Sequence, residues 1–239
     1  MNLLQKIILK LKIEFRFYTE QKFGIIKPNR FNIPKYLLKK YLPANPVMVD
    51  CGAHIGEDSV ELARLFPKGT VYSFEAVPDV FKKLKHTIRR FKNIVCYNIA
   101  LSDKTGVSDI YVSSGSYDGS SSLLQPVKHL EDHPDVTFNE VLPVNTITLD
   151  EWASQNAIKK VDLLWLDMQG YEYYMLKGSS AIFPQVDVIH TEVSTRETYS
   201  NVIRYEEIKE WLEQKGFGEV YKALPEGADM GNVLFVRKS

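Results

Sequence analysis

The sequence predicts one doubly wound α/β domain, and three observations carry that prediction. Short apolar runs alternate with helical patterns, the rhythm of βαβ units and a parallel sheet. The stretch Asp50-Cys51-Gly52-Ala53-His54-Ile55-Gly56 joins a strand to a helix through a glycine turn. The chain has 239 residues, a length that α/β folds often use as one domain.

In chain order, residues 3–18 set Leu3, Leu4, Ile7, Ile8 and Leu11 on one helical face, with Lys6 and Lys10 off it. This is either an entry helix packed on the domain or a basic amphipathic helix making peripheral contact with a membrane. Residues 1–45 are therefore read as a helical extension and 46–239 as the domain. Residues 47–51 form a buried strand, and 57–66 a helix stopped by Pro67 and Gly69. Residues 70–75 form the second strand. A helix over 78–91 opens on Pro78, where a missing N–H costs nothing, and 94–98 is the third strand. Residues 102–144 are less regular. An added strand fits 106–113, and the Ser- and Gly-rich stretch 113–122 is a loop, either a lid or a plain surface loop. The rhythm returns with a strand over 161–167, a helix over 171–177 stopped by Gly178, a strand over 186–193 and a helix over 205–215. Residues 216–221 and 232–237 have no long helix between them and close the sheet as an antiparallel pair.

Composition excludes several classes of function. Thirty Lys and Arg balance thirty Asp and Glu, so no global field draws the chain to nucleic acid. Cys51 and Cys96 make neither a disulfide framework nor a zinc site; they read as free thiols of a reducing compartment, and a cytoplasmic location is expected. No run is long and apolar enough to span a membrane, and the N-terminus is a poor signal peptide.

The glycine turn is the most specific local signal. Gly52 lets the backbone turn sharply, Gly56 lets the helix approach closely, and N–H groups at a helix N-terminus suit an anion. The dinucleotide fingerprint needs three glycines, and Asp50 holds the first position here. Asp50 would repel a pyrophosphate and accept from an ammonium group, so a zwitterionic amino-acid moiety fits better. Glu75, with Ala76 after it, ends the second strand about 20 residues further on, where ribose hydroxyls would lie. Asn98 and Ala100 follow the third strand, where an adenine edge would reach.

These residues, in this order, resemble the FkbM family of S-adenosylmethionine-dependent methyltransferases. The likeness continues through Leu164-Trp165-Leu166-Asp167-Met168-Gln169-Gly170-Tyr171-Glu172, Asn145 to Asp150, His190-Thr191-Glu192-Val193 and Gly231 to Phe235. It covers residues 46–237. Many members have Lys at the position of Trp165 and Glu at that of Gln169. The resemblance implies the class I methyltransferase (Rossmann-like) fold. That fold is a seven-stranded, mostly parallel sheet with an antiparallel last strand and helices on both faces. It also implies the cofactor S-adenosyl-L-methionine and, usually, O-methylation of a sugar, glycan or hydroxylated natural product. It carries cofactor contact onto Asp50, Gly52, Ala53, Gly56, Glu75, Asn98 and Ala100, with His54, Glu57, Ala76 and Asp167 beside them.

Strand-end position makes Asp167 and Glu192 the catalytic candidates, although such acids also cap helices. Gln169, Glu172, Ser121 and Ser122 are candidates for contact with the acceptor, and Tyr117, Tyr171 and Trp165 for lining its pocket. No histidine has metal-ligand spacing. Asp167 with Glu192 could hold a divalent cation through oxygen, but nothing in the sequence requires one, and no metal is expected. Two other readings share the sheet: an NAD(P)-dependent oxidoreductase and a non-catalytic nucleoside-binding module.

Overall fold

A computed structural model describes residues 31–238. The predicted helix over 3–18 lies outside the described residues. Within the 1–45 extension, Lys35–Lys40 form a 3₁₀ helix.

Ten strands follow, β1 (Val47–Cys51), β2 (Thr70–Phe74), β3 (Ile94–Tyr97), β4 (Ala100–Ser102), β5 (Gly106–Gly115), β6 (Val136–Thr148), β7 (Val161–Leu166), β8 (Val186–Ser194), β9 (Phe217–Ala223) and β10 (Met230–Arg237). The helices are α1 (Glu57–Leu65), α2 (Pro78–Ile88), α3 (His129–Asp132), α4 (Leu149–Gln155), α5 (Glu172–Lys177) and α6 (Tyr205–Gln214). Seven strands form one sheet in the order β3-β2-β1-β7-β8-β10-β9. Its first five are parallel, and β10 runs antiparallel between β8 and β9. Strand order reverses between β1 and β7, and an open α/β sheet leaves a crevice at such a switch point.

Period-2 alternation sorts the central strands between two cores. Met48, Val71, Leu163 and Val188 pack beneath α1 and α2 with Leu62, Leu84 and Ile88. Val49, Phe74, Leu164, Leu166 and Ile189 point the other way, against Trp152 of α4, Leu176 of α5 and Ile208 and Leu212 of α6. Strands buried on both faces read as continuous apolar runs, which is why β1, β7 and β8 were legible. Cys51 and Cys96 are both free, on strands separated by β2.

The irregular region departs from expectation. β6 is thirteen residues long and pairs with β5 antiparallel and β4 parallel, making a second sheet. Its central residues are largely exposed and Pro143 interrupts its donors, so neither an apolar run nor clean alternation marks it. β5 runs on to Gly115, which takes Ser113 and Ser114 out of the predicted loop. The second sheet packs Ala100, Ile110 and Val144 against Ala76, Val77 and Val80, roofing the crevice.

Candidate active site

The turn after β1 is built by backbone. Gly52 (φ +84°) and Ala53 donate their N–H groups to the carbonyl of Phe74, and Gly56 donates to Ala53. The anion-binding expectation fails for these donors because each already has a partner. A Cβ on Gly52 would stand 1.9 Å from the carbonyl oxygen of Asp167. That glycine is required first by the close approach of the β1 and β7 ends. Gly56 (φ +89°) faces Leu84 and Ile88 of α2, the close helix approach expected of it.

Gly52, His54, Glu75, Ala76, Ala100, Ser121, Ser122, Asp167 and Gln169 all line one cleft. Phe74, Ile99, Leu101, Ile110 and Leu123 supply its apolar walls. Glu75 is buried at its edge, accepts from Val77 N at 2.8 Å, and is pushed up to about 7 by burial. A buried carboxylate beside an apolar slot fits vicinal ribose hydroxyls next to an adenine ring, and an S-adenosylmethionine nucleoside fits that set.

Several predicted contacts lie elsewhere. Asp50 shares the α1 face with Met48 and Trp165, since residues two apart on a strand face alike. Its carboxyl accepts from Ser59, and burial, reinforced by the Asp58 charge, pushes it up to about 8. It is not among the residues that line the cleft, and one of its oxygens is taken by Ser59. Asn98 spends its amide on the carbonyls of Glu75 and Ala76, fixing the turn from behind. Ala53 is buried, and Glu57 lines a different cavity with Lys35, Asp58, Trp165 and His190. There Lys35 is held by Asp58 at 2.5 Å and Glu61 at 2.6 Å, and Trp165 stacks on His190 at 3.4 Å. Trp165 therefore belongs to the α1-side core. Glu172 folds back onto its own turn, accepting from Met168 N and Gly170 N, and so braces the loop instead of reaching an acceptor.

Asp167 is the junction. It lines the nucleoside cleft, the Lys35 cavity and a third, polar cleft of about 490 Å³ with Tyr117, His129, His133, Asp135, Gln169 and Glu192. Trp165 and His190 are register partners, so Asp167 and Glu192, two residues on, stand side by side on the same face. One nitrogen joins them: Gln169 Nε2 donates to Asp167 Oδ1 at 2.8 Å and to Glu192 Oε2 at 2.9 Å. Burial pushes Asp167 up to about 6. Burial and the neighbouring charge of Asp167 push Glu192 well above the carboxylate range. Gln169 holds this position with φ +53°, a left-handed backbone that a non-glycine residue adopts at a cost.

Sequence reasoning missed the loop contacts. Asp118, in the middle of the serine-rich stretch, pairs with His54 at 2.9 Å and with Lys83 of α2 at 2.6 Å, holding that loop beside the cleft. Tyr199 was missed as well, although it is fully buried beside Gln169.

A seven-stranded sheet in this order, with a cleft at its switch point, is the class I methyltransferase fold. The family model described as the methyltransferase FkbM domain matches residues 50–218, and the chain belongs to that family. It is 27% identical to the 2-O-methyltransferase NoeI of Sinorhizobium fredii, over 95% of this chain and 93% of the relative. It is 25% identical to the methyltransferase sdnD of Sordaria araneosa, over 74% of this chain and 75% of that one. In fold it is similar to the crystal structure of methyltransferase FkbM from Methylobacillus flagellatus. The TM-score is 0.55 at 13% identity, covering 94% of this chain and 50% of the other. Family membership sets aside the oxidoreductase and the non-catalytic readings.

Proposed function

We propose that this enzyme O-methylates a hydroxyl of a sugar, glycan or other small hydroxylated natural product, with Asp167 as the general base. The observation that carries the reading is the position of Asp167 at the meeting of the nucleoside cleft and the polar cleft. The relative named as a 2-O-methyltransferase supports oxygen as the acceptor atom. Among the described residues lining the polar cleft there is no Lys or Arg, which favours a neutral acceptor over a phosphorylated one.

Bound S-adenosylmethionine supplies a methyl group already activated by its sulfonium. The residues of the chain have two tasks. Glu75 and the apolar walls hold the nucleoside, and the polar cleft aims the acceptor oxygen along the transfer axis. Such positioning can supply ~7–11 kcal/mol. Asp167 would take the acceptor hydroxyl's proton as the S–CH₃ bond breaks and the O–CH₃ bond forms, with neutral S-adenosylhomocysteine as the leaving group. At neutral pH a group titrating near 6 is mostly ionised yet still a usable base.

The test combines calorimetry with transfer of a labelled methyl group to panels of neutral and phosphorylated hydroxyl compounds. S-adenosylhomocysteine should bind, and label should enter neutral acceptors. Asp167→Asn should keep cofactor affinity within about threefold while transfer falls ~10²–10⁴-fold, the usual worth of a general base. Absent S-adenosylhomocysteine binding, transfer confined to phosphorylated acceptors, or wild-type rates in Asp167→Asn would each overturn the reading.

A further inference from the structure

We propose that Tyr199 is a positioning residue, whose hydroxyl fixes the Gln169 amide so that its two N–H bonds hold Asp167 and Glu192 as a carboxyl pair carrying one proton. The proposal rests on the functional reading above and goes one step past it, to what sets the protonation of the base.

The geometry has three parts. Tyr199 OH lies 3.1 Å from Gln169 Oε1 and 2.8 Å from the Ser120 carbonyl. The hydroxyl has a single proton, shared between these two acceptors, and the amide presents its oxygen here because the two acids at its other end take its N–H donors. The amide nitrogen is then turned toward the two acids, and both of its protons are used. The Gln169 main chain is held independently, its carbonyl accepting from Ser122 Oγ at 2.8 Å. Side chain and backbone are thus each anchored to the 116–122 loop.

Two oxygens at hydrogen-bond distance from one planar NH₂ group stand about 5 Å apart. Two buried carboxylates that close do not both ionise readily, and their protons leave in two coupled steps. The other ionisable groups facing the pair are Glu172, Asp58, Asp50, His54, Tyr117 and Tyr199 itself, with His129, His133 and Asp135 across the polar cleft. Glu172 and Asp58 add negative charge and oppose the second ionisation; His54 favours ionisation of Asp167. In the one-proton state Asp167 is free to act as base, and protonated Glu192 can donate to an acceptor oxygen. A carboxylate in place of Gln169 would add a third acid and remove both donors.

The test is a ¹³C-carboxyl NMR titration of Asp- and Glu-labelled full-length protein without ligand. In the wild type the two resonances should move together in two steps, the upper one well beyond pH 6. Tyr199→Phe loosens the amide, weakens its bonds to the charged form, and should raise the lower step by about one unit. A packing role alone would lower Tm and leave the titration in place. A folded Tyr199→Phe protein with a wild-type titration overturns the proposal. If that variant fails to fold, Gln169→Met must produce the same upward shift. A wild-type protein whose two acids both ionise independently below pH 6 overturns the proposal with no variant at all. Calorimetry with S-adenosylhomocysteine on the same samples keeps the two readings apart, because loss of the carboxyl coupling with retained binding removes only this one.

Discussion

At the scale of single residues, the site is held by backbone conformations few side chains tolerate. Gly52 shows how a residue singled out for one partner can be required by another. The sequence marks it as a place where backbone meets ligand, yet the nearest atom to an added Cβ is the Asp167 carbonyl oxygen at 1.9 Å. Substitution should therefore damage folding before it damages binding. Gly52→Ala also meets a left-handed φ of +84°, which costs a residue with a Cβ ~1–2 kcal/mol before any clash is counted. The expected outcome is a fall in Tm of several degrees together with weaker S-adenosylhomocysteine binding. A normal Tm with binding alone lost would show that the collision is with ligand.

At the scale of elements, the serine-rich loop works as a strap. Asp118 is its fastening point, held by His54 from the glycine turn and Lys83 from α2. These pairs are partly exposed, and exposed pairs are worth ~0.2–1 kcal/mol. Asp118→Ala should thus speed release of S-adenosylhomocysteine by up to about fivefold in stopped-flow measurements, less so in high salt. Salt-independent wild-type release would show that the strap does not close the cleft. The same elements show what the sequence could reveal. β1, β7 and β8 announce themselves because burial on both faces makes them apolar throughout. β6 stays silent because its middle faces solvent. Asp167 and Glu192 were legible as strand-end acids; that they share one amide depends on strand register, which periodicity does not supply. Asp50 misled for a related reason: its motif position was clear, but strand parity turned it toward Ser59. Tyr199 sits in a segment with no regular element, so no periodic signal pointed to it.

At the scale of the whole molecule, the buried acids set how stability follows pH. Burial raises Asp50 to about 8, Glu75 and Glu172 to about 7 and Asp167 to about 6, and raises Glu192 further than its ordinary range. In the unfolded chain these groups ionise near 4. Between about pH 4 and 8 the folded state therefore binds more protons than the unfolded one, and stability falls as pH rises through that window. The opposite sign belongs to His190, lowered by burial to about 3, so that its contribution rises with pH up to about 6.5, and to Asp58 and Asp118, lowered by Lys35 and by Lys83 and His54 despite burial, whose contribution is lost as pH falls through their depressed values; these oppose but are outnumbered by the five raised acids. Together these place the stability maximum of the ligand-free protein on the acid side of neutrality. Calorimetric scans should show Tm decreasing from pH 5 to pH 8 by at least ~2–4 °C, the shift that corresponds to about 1 kcal/mol in a domain of this size. Asp50→Asn keeps shape and the Ser59 contact while removing one titration, so it should flatten the slope toward pH 8. A Tm that rises over this range, or a slope unchanged in Asp50→Asn, would mean that these carboxyl groups ionise in the folded protein much as they do in water.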